Sequence, residues 1–240
     1  FPASFDTPDA HVRQTVARAL VEEGSLALPG IEERFDFPVW YRATDEGDIY
    51  CNYPLLQSLL MAPLLMVDGT ERSAYLLCPL LAPVGLWLFA SLLLYAGYSG
   101  RRSYLTALVI MTSTLVAPYA TSSHDNFLWI LLILGTVRLL LVRGPPQIWA
   151  AAGAGALAGA LLNLKMSALV AAPAFAFLLP SLTLTKGTGL SEATRSWLRA
   201  LRTRQTWSRL GAFSLGALPF LTLFAWYNHL RFGRLFDFGV

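Results

Sequence analysis

Charge is what this chain has least of. Asp, Glu, Lys and Arg supply 14% of its 240 residues and apolar residues supply 55%, a balance that argues against a soluble globular domain, which needs more polar surface to stay dissolved. Cysteine is also scarce. Cys51 falls in a polar stretch and Cys78 in an apolar one, so neither a disulfide framework nor a zinc-type spacing is present. A glycine-rich loop opening a helix after a strand is missing too, which disfavours a soluble nucleotide-sugar enzyme. No signal peptide is visible, and the chain starts at Phe1 and stops at Val240 soon after an apolar run. It is therefore expected to be truncated at both ends, lacking at least one N-terminal helix.

The few charges present are segregated. Residues 1–72 carry 12 of the 15 acids against five arginines, and residues 73–240 carry 13 basic residues against three acids. A water-facing acidic segment followed by a membrane body with basic loops fits this pattern. Membrane orientation explains the basic residues, so no nucleic-acid partner is expected. The expected fold class is an all-α polytopic membrane protein, divided into an outer loop at 1–72 and a transmembrane bundle at 73–240.

Six apolar runs are candidate spans: 73–98, 104–120, 127–142, 148–162, 166–184 and 210–227. Several fall short of the ~20 residues that cross about 30 Å of hydrocarbon, a mismatch that bundles accommodate by thinning and packing. Gly155 and Gly159 form a small-xxx-small pair suited to close helix contact. The loops after the first, third and fifth runs hold ten basic residues and one acid, which puts them in the cytoplasm. The N-terminal segment, 117–126, 163–165 and 228 onward then face outward. Within the outer segment, 9–23 has Val12, Val16, Ala19 and Leu20 at helical spacing and Gly24 as a stop signal. The run 54–67, broken by Pro63, is too short to span and suits a re-entrant or interfacial helix. Residues 25–53 between them are expected to form an ordered loop.

Polar groups at the outer boundary are the candidate chemistry. Asp9 lies one turn before Val12, on the apolar face, where a carboxylate is costly unless functional or paired. Alternatively, Asp6 or Thr7 caps a helix in whose first turn Pro8 and Asp9 are favoured. His124 and Asp125 sit between two apolar runs, and Asp125 is the sole acid between Glu71 and Glu192. It either caps the following helix or takes part in chemistry. Lys165 stands alone on the outer side and either snorkels to the interface or binds a lipid phosphate. Arg231 and Arg234 follow the last run and serve as interface anchors or as further cations.

Several segments together resemble a known family. DAHVR at 9–13 and ARALVEEG at 17–24 resemble the first outer loop of the GT-C glycosyltransferases, closest to glycosyltransferase family 39 (the protein O-mannosyltransferase and aminoarabinose-transferase type). In that family an aspartate opens an amphipathic helix about fifteen residues before a glycine, as Asp9 stands to Gly24. DIYCNYPLLQSLL at 48–60 resembles the start of its second juxtamembrane helix. YATSSHD at 119–125 resembles its second outer loop, and LKMSAL at 164–169 and YNHLRFGRLFDFG at 227–239 resemble two later signatures. The chain departs where Ala10 replaces the Glu of the Asp-Glu pair common at the first site, and where Tyr53 stands in place of a lysine.

The resemblance implies a GT-C-like bundle with juxtamembrane helices, in the plasma (inner) membrane, active on its periplasmic or extracellular side. It implies an inverting transfer from a polyprenyl-phosphate-linked sugar to a lipid, glycan or protein acceptor. Asp9 would be the general base. Asp6, His124, Asp125 and Tyr53 would position donor or acceptor, and Lys165, Arg231 and Arg234 would meet the lipid phosphate. No metal ligands are assigned, although a divalent cation at His124 or Asp125 is compatible. The rival expectations are a lipid or solute transporter, which tends to place ionisable groups at mid-membrane, and a non-catalytic scaffold.

Overall fold

A computed structural model describes residues 8–28, 41–44, 47–122, 124–142, 144, 147–180 and 190–235. The chain is mostly helical. Helix α1 spans Pro8–Glu23 and stops at Gly24, whose φ of 67° is the left-handed value that favours glycine. Its buried stripe includes Val12, Val16 and Ala19, as the spacing predicts, but also Ala10, Arg13, Gln14 and Ala17. The helix is thus wrapped by neighbours rather than laid on a surface. Helix α2, Leu56–Asp68, continues through Pro63 and ends at the left-handed Gly69. Ser58 Oγ donates to the Arg13 carbonyl oxygen at 2.8 Å and ties α2 to α1.

Between α1 and α2 the described part of the expected ordered loop contains an antiparallel hairpin, β1 (Tyr41–Ala43) with β2 (Ile49–Cys51), in register Tyr41 to Cys51. Leu28 N–H adds a further bond to the Ile49 carbonyl at 2.8 Å. Strands of three residues carry too little alternation to be read from sequence.

Among the described residues that follow, the elements are helical: α3 (Glu71–Ala74), α4 (Leu77–Tyr95), α5 (Gly100–Ser113), α6 (Val116–Ala120), α7 (Asp125–Leu140), α8 (Gln147–Leu162), a 3-10 turn (Met166–Ala171), α9 (Ala172–Leu178), α10 (Leu190–Leu201) and α11 (Arg204–Phe232). Two of these helices, α4 and α11, are long and apolar enough to cross a membrane. Only 28% and 17% of their apolar windows are buried, whereas the core helix of a soluble protein is mostly buried. The expected run 104–120 divides into α5 and α6, because Thr114 turns extended and its Oγ1 accepts the Val116 N–H at 3.2 Å. The expected run 166–184 begins as a 3-10 turn, because Pro173 lacks the N–H that would continue an α-helix back into it.

The tightest contact joins α8 to α11. A Cβ at Gly155 would meet the Phe213 carbonyl oxygen at 1.8 Å, and one at Gly216 would meet that of Ala152 at 1.9 Å. Both glycines are therefore required for backbone-to-backbone approach, the role expected of the small-xxx-small pair. Asn163 closes the same corner. Its Nδ2 donates to the Phe220 carbonyl oxygen at 2.7 Å, and its own carbonyl accepts the Leu56 N–H at 3.0 Å. At the far end, Arg209 is a buried strut and not a loop charge, with Nη2 donating to the Leu140 carbonyl at 2.6 Å. Cys51 and Cys78 are both buried and unpaired.

Candidate functional site

The site is built from four places in the chain: the first turns of α1, the segment between β2 and α2, the start of α7, and the connection after α8. Asp9 lies in the first turn of α1, half-buried, and its Oδ1 accepts a hydrogen bond of 2.5 Å from the Tyr53 hydroxyl. Burial, followed by this hydrogen bond and the Asp9 charge, raises the Tyr53 phenol well above the ordinary tyrosine range. Tyr53 therefore stays protonated and acts as a donor.

One turn along α1, the Arg13 guanidinium stacks on the Tyr53 ring at 4.5 Å from its centroid. The same guanidinium donates from Nη2 to Asp125 Oδ2 at 3.0 Å, with both side chains almost fully buried (3% and 4% exposed). Among the described residues, Arg13 Nε has no hydrogen-bond partner.

Asp125 is the hub. His124 Nδ1 lies 2.9 Å from Asp125 Oδ1, and Lys165 Nζ lies 3.8 Å from Oδ2. Burial alone would raise the Asp125 pKa. The His124 hydrogen bond and the charges of Arg13 and Lys165 outweigh it and hold the carboxyl below its usual value. His124 is the N-cap residue of α7, and its Nδ1 is also 3.3 Å from the Asn126 N–H. One nitrogen cannot donate and accept together. The shorter, charge-assisted contact is the one with Asp125. The ring rests tilted on Tyr119, centroids 5.0 Å apart. Lys165 donates to Asn126 Oδ1 at 3.1 Å and keeps a side chain 42% exposed, so it is the cation at the mouth of the cluster.

Asp9, Tyr53, His124, Asp125 and Lys165 are thus joined in one contiguous network, with Arg13 as the bridge. Arg231 reaches it from behind in another role. Its Nη1 donates to the carbonyl oxygens of Cys51, Asn52 and Tyr53 at 3.3, 2.6 and 3.2 Å, and Nη2 donates to Asn228 Oδ1. Its guanidinium also faces the Tyr227 and Phe232 rings. Instead of meeting a phosphate, this buried arginine pins the segment that carries Tyr53. Arg234 stands exposed beyond the left-handed Gly233 that ends α11. Asp6 lies outside the described residues.

Arg13 is the member of this network that sequence reasoning missed. Its signal was weak: an arginine four residues after Asp9, on a face otherwise read as apolar. Among the described residues no group of three His, Cys, Asp or Glu side chains is placed to hold a metal ion, and Arg13 and Lys165 beside Asp125 oppose a cation there.

An apolar groove of about 340 Å³, lined by no residue of the network, begins one helical turn from Asp125. It lies between α4 and α7, with Leu60 of α2 at its edge, and follows α7 from Leu128, one turn below Asp125, to Arg138 and Leu139. The rise from Leu128 to Leu139 along the helix is roughly 16 Å. No known family, curated protein or solved structure matches the chain.

Proposed function

We propose that the chain is part of a polytopic membrane glycosyltransferase that moves a sugar from a polyprenyl-phosphate carrier to an acceptor on the outer face of the bilayer. The observation that carries this reading is the continuous network from Asp9 through Tyr53 and Arg13 to Asp125, His124 and Lys165. It joins a proton-accepting carboxylate to fixed cations beside an apolar groove, which is what a lipid-linked phosphate donor requires.

In this mechanism Tyr53 holds Oδ1 of Asp9 and leaves Oδ2 to take the proton of the acceptor nucleophile. The nucleophile attacks the anomeric carbon as the bond from that carbon to the phosphate oxygen breaks, so the configuration inverts. The polyprenyl phosphate leaves with its negative charge, which Lys165 at the mouth is positioned to meet. Asp125 does not react. It orients His124, Lys165 and Arg13 by accepting a contact from each. The groove along α7 suits the isoprenoid chain.

The exposed apolar side chains support the membrane setting. Trp149 and Val170 are 81% and 82% exposed, and Leu80, Leu115 and Leu215 are exposed as well, an area that water disfavours and lipid does not. The shorter apolar stretches of α7, from Phe127 on, and of α8 span with the help of packing and local thinning, with Asp125 left at the outer boundary. The basic loops at 101–102, 138–143 and 186–209, taken as cytoplasmic, support an outward-facing network.

The test is product analysis after reconstitution of the complete protein with a polyprenyl-phosphate-linked sugar. Free polyprenyl phosphate and a glycoside of inverted anomeric configuration are expected. Movement of the intact donor between leaflets, without bond cleavage, would establish transport instead.

A further inference from the structure

Helix α10 was hidden inside a stretch that sequence reading treats as a basic loop. It is held firmly. Trp197 stacks on Phe177 of α9, centroids 5.9 Å apart and planes 13° from parallel, and its Nε1 donates to the Phe177 carbonyl at 3.1 Å. The corner into α11 is tied by Thr203, the N-cap, whose Oγ1 accepts the Thr206 N–H at 3.3 Å, and by Thr206 Oγ1, which donates to the Ala200 carbonyl at 2.7 Å. Positions Leu190, Trp197 and Leu201 share one face at helical spacing, while Arg195, Arg199 and Arg202 share another. The three arginines are exposed and, with Leu198, line an open cleft of about 480 Å³. Over 190–204 the chain has four arginines and one acid.

The location matters as much as the charge. Helix α11 runs 29 residues from this corner to the Arg231 clamp behind the polar network. At 1.5 Å per residue that is roughly 43 Å, about the thickness of a bilayer with its headgroups. A cationic amphipathic helix therefore lies one membrane thickness from the candidate active site, with exposed Leu198 and Trp207 beside its arginines.

We propose that α10 is an interfacial helix that binds the phosphate headgroups of anionic phospholipids in the leaflet opposite the active site, through Arg195, Arg199 and Arg202. Basic side chains aligned beside apolar ones are the arrangement by which surface helices engage anionic lipid. This inference rests on the membrane-embedded reading of the helices but not on transferase activity, so the two fail independently.

The experiment is hydrogen exchange of residues 194–202 in the complete protein. It compares nanodiscs of phosphatidylcholine alone with nanodiscs of about equal parts phosphatidylcholine and phosphatidylglycerol. Each arginine near an anionic surface contributes about a fivefold preference before salt screening, so exchange should slow at least about tenfold in the anionic discs. High salt should erase most of that difference in the unaltered protein. The triple change Arg195→Gln, Arg199→Gln, Arg202→Gln should abolish it while exchange in α7 and α8 stays unchanged. Equal exchange in both discs overturns the proposal, whether fast, as for an unbound helix, or slow, as for purely apolar insertion. Protection that depends on protein density and not on lipid charge also overturns it, in favour of a second copy.

Discussion

The Arg13–Asp125 pair offers the sharpest test of how the network is held. Arg13→Leu removes a guanidinium that is 3.0 Å from its carboxylate, and both side chains are sealed from solvent. With the charge centres about 4 Å apart and an effective dielectric of about 20, such a pair is worth about 4 kcal/mol of attraction. Breaking a buried pair from one side typically costs about 3–5 kcal/mol. Asp125 keeps His124 and Lys165 as partners, so Arg13→Leu should fall near the low end, about 3 kcal/mol. Asp125→Leu strands Arg13 against little more than the Tyr53 ring and should cost about 4 kcal/mol by the same reasoning. The double variant replaces both charges by apolar groups and should recover about 2–4 kcal/mol relative to the sum of the singles. With about 2–4 °C of melting temperature per kcal/mol for a chain of this size, each single variant loses roughly 6–16 °C. The assay is the melting temperature of the purified protein and its three variants in one detergent. Additive losses would refute the pair as a coupled unit.

Three further outcomes follow from the geometry. Tyr53→Phe keeps the ring under Arg13 but removes the donor to Asp9, a bond to a charged group worth about 1.5–3 kcal/mol, so transfer should slow at least about tenfold in a turnover assay. Gly155→Ala drives a methyl into the Phe213 carbonyl and should destabilise by about 1–3 kcal/mol or more, whereas Gly211→Ala, with nothing near its added Cβ, should be neutral or stabilising by up to about 1 kcal/mol; thermal melts of the two separate these cases. The depressed pKa of Asp125 adds stability that is complete above its unfolded value, about 3.9, and is lost as pH falls through the lower folded value. Melting temperature should therefore drop on acidification below about pH 4, and Asp125→Asn should blunt that drop.

Much of the helical frame was legible because its signals are local. The Val12, Val16, Ala19 stripe, the stop at Gly24 and the Gly155–Gly159 pair each follow from spacing or conformational freedom within a few residues. What was not legible depends on partners far along the chain. Nothing in the residues around Arg13 points to Asp125, 112 positions away, against which it is folded. Arg231 reads as an interface anchor until the carbonyls of Cys51, Asn52 and Tyr53 turn toward it, about 180 residues away. The break at Thr114 was missed for another reason: apolar content continues through it, and a threonine that bonds its own backbone leaves no trace in hydropathy. Helix α10 is masked in the sequence because its arginines dominate the segment's charge and hide the face they share.

The measurement that bears most directly on the account is the transfer rate of Asp9→Asn in proteoliposomes loaded with a polyprenyl-phosphate-linked sugar. The exchange keeps the shape of the side chain and its bond to the Tyr53 hydroxyl but removes the base. The predicted result is a fall in kcat of about 10²–10⁴, with the KM for donor and the melting temperature nearly unchanged. An Asp9→Asn protein that turns over at the unaltered rate would contradict it.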